Sequence, residues 1–96
     1  MELNSSYTGM NLTLTLKGHI TGISEVAKIK SLVETSQGFT ALDLVIEDAF
    51  VIPSALIGYL MKVINVDKKR VIIQAKHHEL RVLLTELKLD KVFEVR

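Results

Sequence analysis

Val71-Ile72-Ile73-Gln74-Ala75 leads, through Lys76 and His77, into His78-Glu79-Leu80-Arg81-Val82-Leu83-Leu84-Thr85-Glu86-Leu87. The first five residues form a short apolar run, as a buried strand requires. In the second segment Leu80, Leu83, Leu84 and Leu87 stand at i, i+3, i+4 and i+7, one stripe of an α-helix. A buried strand feeding directly into an amphipathic helix is the repeating unit of a parallel α/β sheet.

The same alternation extends toward the N-terminus. Asp67-Lys68-Lys69-Arg70 is a charged turn. Before it, a helix is predicted from Pro53 to Asn65, with Leu56, Ile57, Leu60, Met61 and Ile64 as its main stripe. Pro53 restricts Ile52 to an extended conformation and suits the first turn of that helix. Ala41 to Ile46 is a second strand-like run. Asp43 interrupts it, yet Leu42, Leu44, Val45 and Ile46 suit a central strand covered on both faces.

Another helix is predicted from Ile23 to Thr35. Ile23, Val26, Ile29 and Val33 fall near one face, Lys28, Lys30 and Glu34 face away, and Gly38 is the stop signal. Leu12, Leu14 and Leu16 alternate with Thr13, Thr15 and Lys17, the period of a strand with one buried face. Glu2 to Thr8 reads as a weaker first strand turning at Gly9. After the last helix, Val92-Phe93-Glu94-Val95 closes with a short strand. The order is β-β-α-β-α-β-α-β: one α/β domain over residues 1–96, with helices stacked on a mixed, mostly parallel sheet.

Composition narrows the chemistry. Leu, Ile and Val fill 33 of 96 positions, too many for a disordered chain of net charge +1. The absence of Cys excludes disulfides and thiolate sites. Balanced charge, with no aromatic pair on a strand, argues against a nucleic-acid binder. There is no Gly-x-Gly-x-x-Gly, Walker-type loop or Gly-x-Ser-x-Gly elbow. His77 and His78 are neighbours at a helix entry, pointing about 100° apart, so they do not chelate one metal from a single face. His19 reads as lying in a distant turn. Glu47 and Asp48 read as a solvated strand exit. No catalytic, cofactor-binding or metal-ligating set emerges.

The N-terminus lacks the basic start and apolar core of a signal peptide. The uncharged run Ala49 to Met61 has 13 residues, short of the roughly 20 a spanning helix needs. A cytoplasmic protein that is not membrane-embedded is expected. The triplets at Asn4 and Asn11 read as chance glycosylation matches.

One segment departs from expectation. Ala49-Phe50-Val51-Ile52-Pro53-Ser54-Ala55-Leu56 connects a strand to a helix, where polar residues are the rule, and is apolar up to the proline. Two readings follow: a deeply buried helix, or an apolar surface used for association. On the second, the candidate partner surface is Phe50, Val51, Ile52, Ala55, Tyr59 and Val63. Ser54, in the first turn, reads either as an end-cap or as a phosphoacceptor. A phosphate there would suit the helix's positive end while placing about −2 charge on an apolar surface.

Three strings resemble the STAS family (sulphate transporter and anti-sigma factor antagonist domains). Gly18-His19-Ile20-Thr21 looks like its Gly-Glu-Leu-Asp/Thr turn. Phe50-Val51-Ile52-Pro53-Ser54-Ala55-Leu56 resembles its Phe-Ile-Asp-Ser-Ser-Gly-Leu. Leu83-Leu84-Thr85-Glu86-Leu87-Lys88-Leu89-Asp90-Lys91-Val92-Phe93 resembles its closing Leu-x-x-x-Gly-Leu-Asp-x-x-Phe. The ungapped alignment puts Ser54 on the serine phosphorylated in anti-sigma factor antagonists and also matches Leu56 and Leu60. It puts Ile52 at the family's acidic residue and Ala55 at its glycine. Sliding by one puts Ala55 at the phosphoacceptor position.

The resemblance implies a non-enzymatic regulatory domain without cofactors, docking its second helix and the entry loop onto a protein. That partner is a serine-kinase-like anti-sigma factor if Ser54 acts as a switch. The alternative is a constitutive STAS subunit of a complex such as a lipid-transport ATPase, and self-association as a homodimer through the same patch is a third outcome. A small enzyme or ligand-binding domain is the remaining class.

Overall fold

A computed structural model describes residues 2–20, 22–36 and 38–96. Its strands are β1 (Glu2–Thr8), β2 (Asn11–Lys17), β3 (Ala41–Ile46), β4 (Arg70–Ala75) and β5 (Glu94–Val95). Its helices are α1 (Ile23–Thr35), α2 (Ser54–Asn65) and α3 (His78–Glu86). A single 3₁₀ turn, Leu89–Lys91, precedes β5. The element order, and the α/β class with a mixed sheet, agree with the sequence reading.

Strand order in the sheet is β1-β2-β3-β4-β5. β1 and β2 are antiparallel, and β2 through β5 are parallel neighbours. Gly9 makes the hairpin: its φ of 63° suits the first central position of a two-residue turn. From β2 onward each crossover advances one strand in the same direction. Right-handed crossovers of that kind place every helix on the same sheet face.

The register identifies that face. Leu12, Leu42 and Val71 form one row, Leu14, Leu44 and Ile73 the next, and Leu16, Ile46 and Ala75 the third. All nine are buried in one core with Val26, Ile29 and Val33 of α1, Leu56, Tyr59, Leu60 and Val63 of α2, and Leu80 and Leu84 of α3.

Among the described residues the opposite face carries no helix, which corrects the expectation that β3 is covered on both sides. Asp43 lies on this face, where the Gln74 side-chain amide donates to both its carboxylate oxygens at 2.8 and 3.0 Å. Arg70 pairs with Glu94 beside it. Asp43 therefore interrupts the apolar run because it belongs to the open face.

Two more expectations shift at helix ends. Ile23 is 84% exposed and Leu87 is 52% exposed, so neither joins its predicted stripe. Ile23 is the first residue of α1 and Leu87 is the C-cap of α3, so each stands at a helix end, outside the packed turns. The buried stripe of α2 is Leu56, Tyr59, Leu60 and Val63, with Ile57, Met61 and Ile64 only partly buried. The core face is thus rotated from the predicted one toward α1, the neighbour against which Tyr59 packs.

Candidate functional site

The loops that follow β2, β3 and β4 meet at the carboxyl end of the parallel strands, where α/β folds carry their functional residues. Strand order does not reverse, so no crevice opens between diverging connections of the kind that holds a nucleotide. The loops instead form a surface.

The β3–α2 loop is held at alternate points. Ala49 is 1% exposed and Ile52 is 8% exposed, and both are part of the core. Between these anchors Phe50 and Val51 turn outward, at 42% and 52% exposure. Two inward anchors and two outward apolar side chains explain why this connection is apolar throughout.

Phe50 sits between two imidazoles. The His19 ring lies edge-on to it at 5.5 Å between centroids, and the His77 ring lies tilted at 5.6 Å. His77 caps α3: its Nδ1 accepts the Glu79 backbone N–H at 3.3 Å. Below Phe50, the Gly18 N–H donates to Asp48 Oδ2 at 2.8 Å, tying the β2–α1 loop to the β3–α2 loop. His19 is therefore not remote from His77, as sequence distance suggested. Adjacent parallel strands bring their exit loops together, and that was the available signal.

Pro53 takes the N-cap of α2, and its carbonyl accepts the N–H groups of Leu56 and Ile57 at 3.0 and 3.3 Å. Ser54 is the first helical residue, exposed, and among the described residues its hydroxyl makes no hydrogen bond. It is not the cap. The capping position is occupied by a residue with no side-chain acceptor.

The six candidate surface residues divide. Phe50, Val51 and Ala55 are exposed, while Ile52, Tyr59 and Val63 lie in the core and offer no surface. For Tyr59 and Val63 the buried-helix reading applies, because α2 buries the side that faces α1 as well as the side that faces the sheet. Thr21, the last residue of the first resembling string, lies outside the described residues.

Burial raises the Tyr59 hydroxyl from 10.0 to about 12, and the nearby carboxylates of Glu34 and Asp67 add to the shift. The ammonium groups of Lys30 and Lys62 lie 5.8 and 5.9 Å from the ring centroid and do not outweigh it. Tyr59 is thus a neutral core residue midway along α2.

Among the described residues no group of three or more His, Asp or Glu is placed to hold a metal ion. No helix among them is long and apolar enough to cross a membrane. The arrangement is an α/β domain presenting an apolar ridge, Phe50 and Val51, beside an exposed serine at a helix entry. No protein-family model, curated protein or solved structure gives a match to the chain.

Proposed function

We propose that the chain is a non-enzymatic protein-binding domain that docks through the β3–α2 loop and the first turn of α2. One observation carries the reading: Phe50 and Val51 stand exposed between buried Ala49 and Ile52, so the ridge is held out by the core. A preorganised aromatic on a rigid loop loses little entropy on binding and is a favoured anchor of interfaces.

Ser54 supplies the control. A phosphate on it would sit favourably at the helix's positive end, so the fold tolerates it. It would also place about −2 charge beside Phe50 and Val51, a charge that docking would have to desolvate. Modification thus releases the partner without unfolding the domain.

The resemblance to anti-sigma factor antagonists supports this reading at a second place. Lys88 stands where the STAS closing string has Gly, and its φ of 59° is left-handed, the conformation that favours glycine. The backbone follows the glycine pattern where the side chain does not.

Buried Ile52 favours the constitutive version, a STAS subunit without a switch. It holds the place of the family's acidic residue and is a core anchor, so it brings no carboxylate to the serine. Incubation with the cognate serine kinase and mass spectrometry separates the two. Phosphate on Ser54, with partner binding lost in Ser54→Asp, supports the switch. No phosphate, with Ser54→Asp binding normally, leaves the constitutive subunit.

A further inference from the structure

A recess of about 310 Å³ opens between α1 and α2 at the amino end of β3 and β4, the other end of the strands from Phe50. Its walls come from the last turn of α1 (Glu34) and from α2 and the turn after it (Tyr59, Lys62, Asp67). The residues that lead into β3 and β4 (Phe39, Lys69) complete it. That volume is at the small end of the range of ligand sites.

Tyr59 is 8% exposed, and its ring belongs to the core. Among the described residues its hydroxyl makes no hydrogen bond. No side-chain oxygen among them is both fully buried and unpartnered, so this hydroxyl reaches the recess with its hydrogen-bonding capacity unused. A buried phenol ordinarily finds a partner. One left open to a recess marks a place for a ligand group.

Charges of both signs converge on that hydroxyl. Glu34 and Asp67 both act on it, and with burial they keep it protonated and able to donate. The Lys62 ammonium lies 5.9 Å from the ring centroid. The Lys69 ammonium is held over the Phe39 ring, 3.6 Å from its centroid. Among the described residues these two carboxylates and two ammonium groups form no ion pair with one another. The last turn of α1 has no basic residue, so the negative end of the helix adds to Glu34.

A simple anion in the recess would meet the two carboxylates, and a simple cation would meet the two ammonium groups. A ligand with both charges on neighbouring atoms satisfies all four. A free α-amino acid is that class of ligand. Its ammonium would lie by Glu34 and Asp67, and its carboxylate would accept from the Tyr59 hydroxyl and face Lys62 and Lys69.

We propose that the recess between α1 and α2 is a binding site for a free α-amino acid, recognised by the Tyr59 hydroxyl between a carboxylate pair, Glu34 and Asp67, and an ammonium pair, Lys62 and Lys69. The site shares no residue with the ridge at Phe50, so it gives the domain a small-molecule ligand besides its protein partner.

The test is amide-resolved NMR titration of the whole chain with each free L-α-amino acid, up to about 10 mM so that millimolar binding is included. At least one should shift the amides of Tyr59, Lys62, Asp67 and Lys69 saturably. The methyl ester of that amino acid lacks the carboxylate charge, and its N-acetyl derivative lacks the ammonium. Each should bind at least roughly tenfold more weakly, as loss of a charged hydrogen bond predicts. Tyr59→Phe deletes only the unpartnered hydroxyl, and Glu34→Gln only a charge. Both should melt like the wild type and bind roughly tenfold more weakly. Absence of saturable shifts with every amino acid overturns the proposal. An ester that binds as tightly as the acid makes the ligand a cation, an N-acetyl derivative that does so makes it an anion, and either result overturns it. So does unchanged affinity in both variants.

Discussion

Asp48 and Gly18, 30 residues apart, are joined by a hydrogen bond of 2.8 Å from the glycine N–H to the carboxylate. The bond fixes the β3–α2 loop against the β2–α1 loop just below Phe50. Gly18 has a φ of 91°, a conformation that favours glycine. Asp48→Ala should lower stability by about 1 kcal/mol, the usual worth of such a bond. Denaturant titration measures the loss, and the Gly18 amide should exchange faster in the variant.

Phe50 and Ile52 should respond oppositely to truncation. Ile52→Ala removes a core anchor and should cost about 2–4 kcal/mol of folding stability. Phe50→Ala removes a side chain that is already 42% exposed and should change stability by under about 1 kcal/mol. Partner binding should show the reverse order, with Phe50→Ala weakening it more than a stable Ile52→Val. Thermal melts and binding titrations on the same preparations check both orders.

Tyr59 makes the fold sensitive to alkali. Its hydroxyl is raised from 10.0 in the unfolded chain to about 12, by burial and then by Glu34 and Asp67. Between those values the unfolded chain has lost the proton and the folded chain keeps it, so unfolding releases a proton. The stability contributed by neutral Tyr59 is therefore complete below pH 10 and falls as pH rises toward 12. Tyr7→Phe leaves Tyr59 as the sole phenol. Ultraviolet titration of that variant should show the folded phenol ionising near 12.

Lys88 has a φ of 59°, just past the end of α3, where its N–H donates to the Thr85 carbonyl at 3.0 Å. A left-handed backbone costs a side chain roughly 1–2 kcal/mol that glycine escapes, against glycine's larger loss of chain entropy. Lys88→Gly should therefore raise stability by about 0.5–1 kcal/mol, read from the denaturation midpoint.

Local periodicity made most of the fold legible. β1 and α1 span the predicted residues, because the two-residue turn at Gly9 and the Val26, Ile29, Val33 stripe are written within a few positions of chain. Tertiary placement was less legible. Asp43 reads as an interruption until the sheet is known to have one bare face. Tyr59 and Val63 read as a flank of α2 until α1 is seen beside them.

The site was half legible. The apolar loop was visible as an anomaly, but which of its residues point inward depends on Ala49 and Ile52 reaching the core. The packing of His19 and His77 around Phe50 joins three loops with no common local pattern. Only the order of parallel strands brings them together.

The most direct test of the docking surface is affinity capture from a native lysate, comparing wild type, a Phe50→Ser/Val51→Ser double variant and Ser54→Asp. Each bait is first shown to be folded. The wild type should retain one protein reproducibly, identified by mass spectrometry, and both variants should lose it. Equal retention of that protein by all three baits would contradict the account.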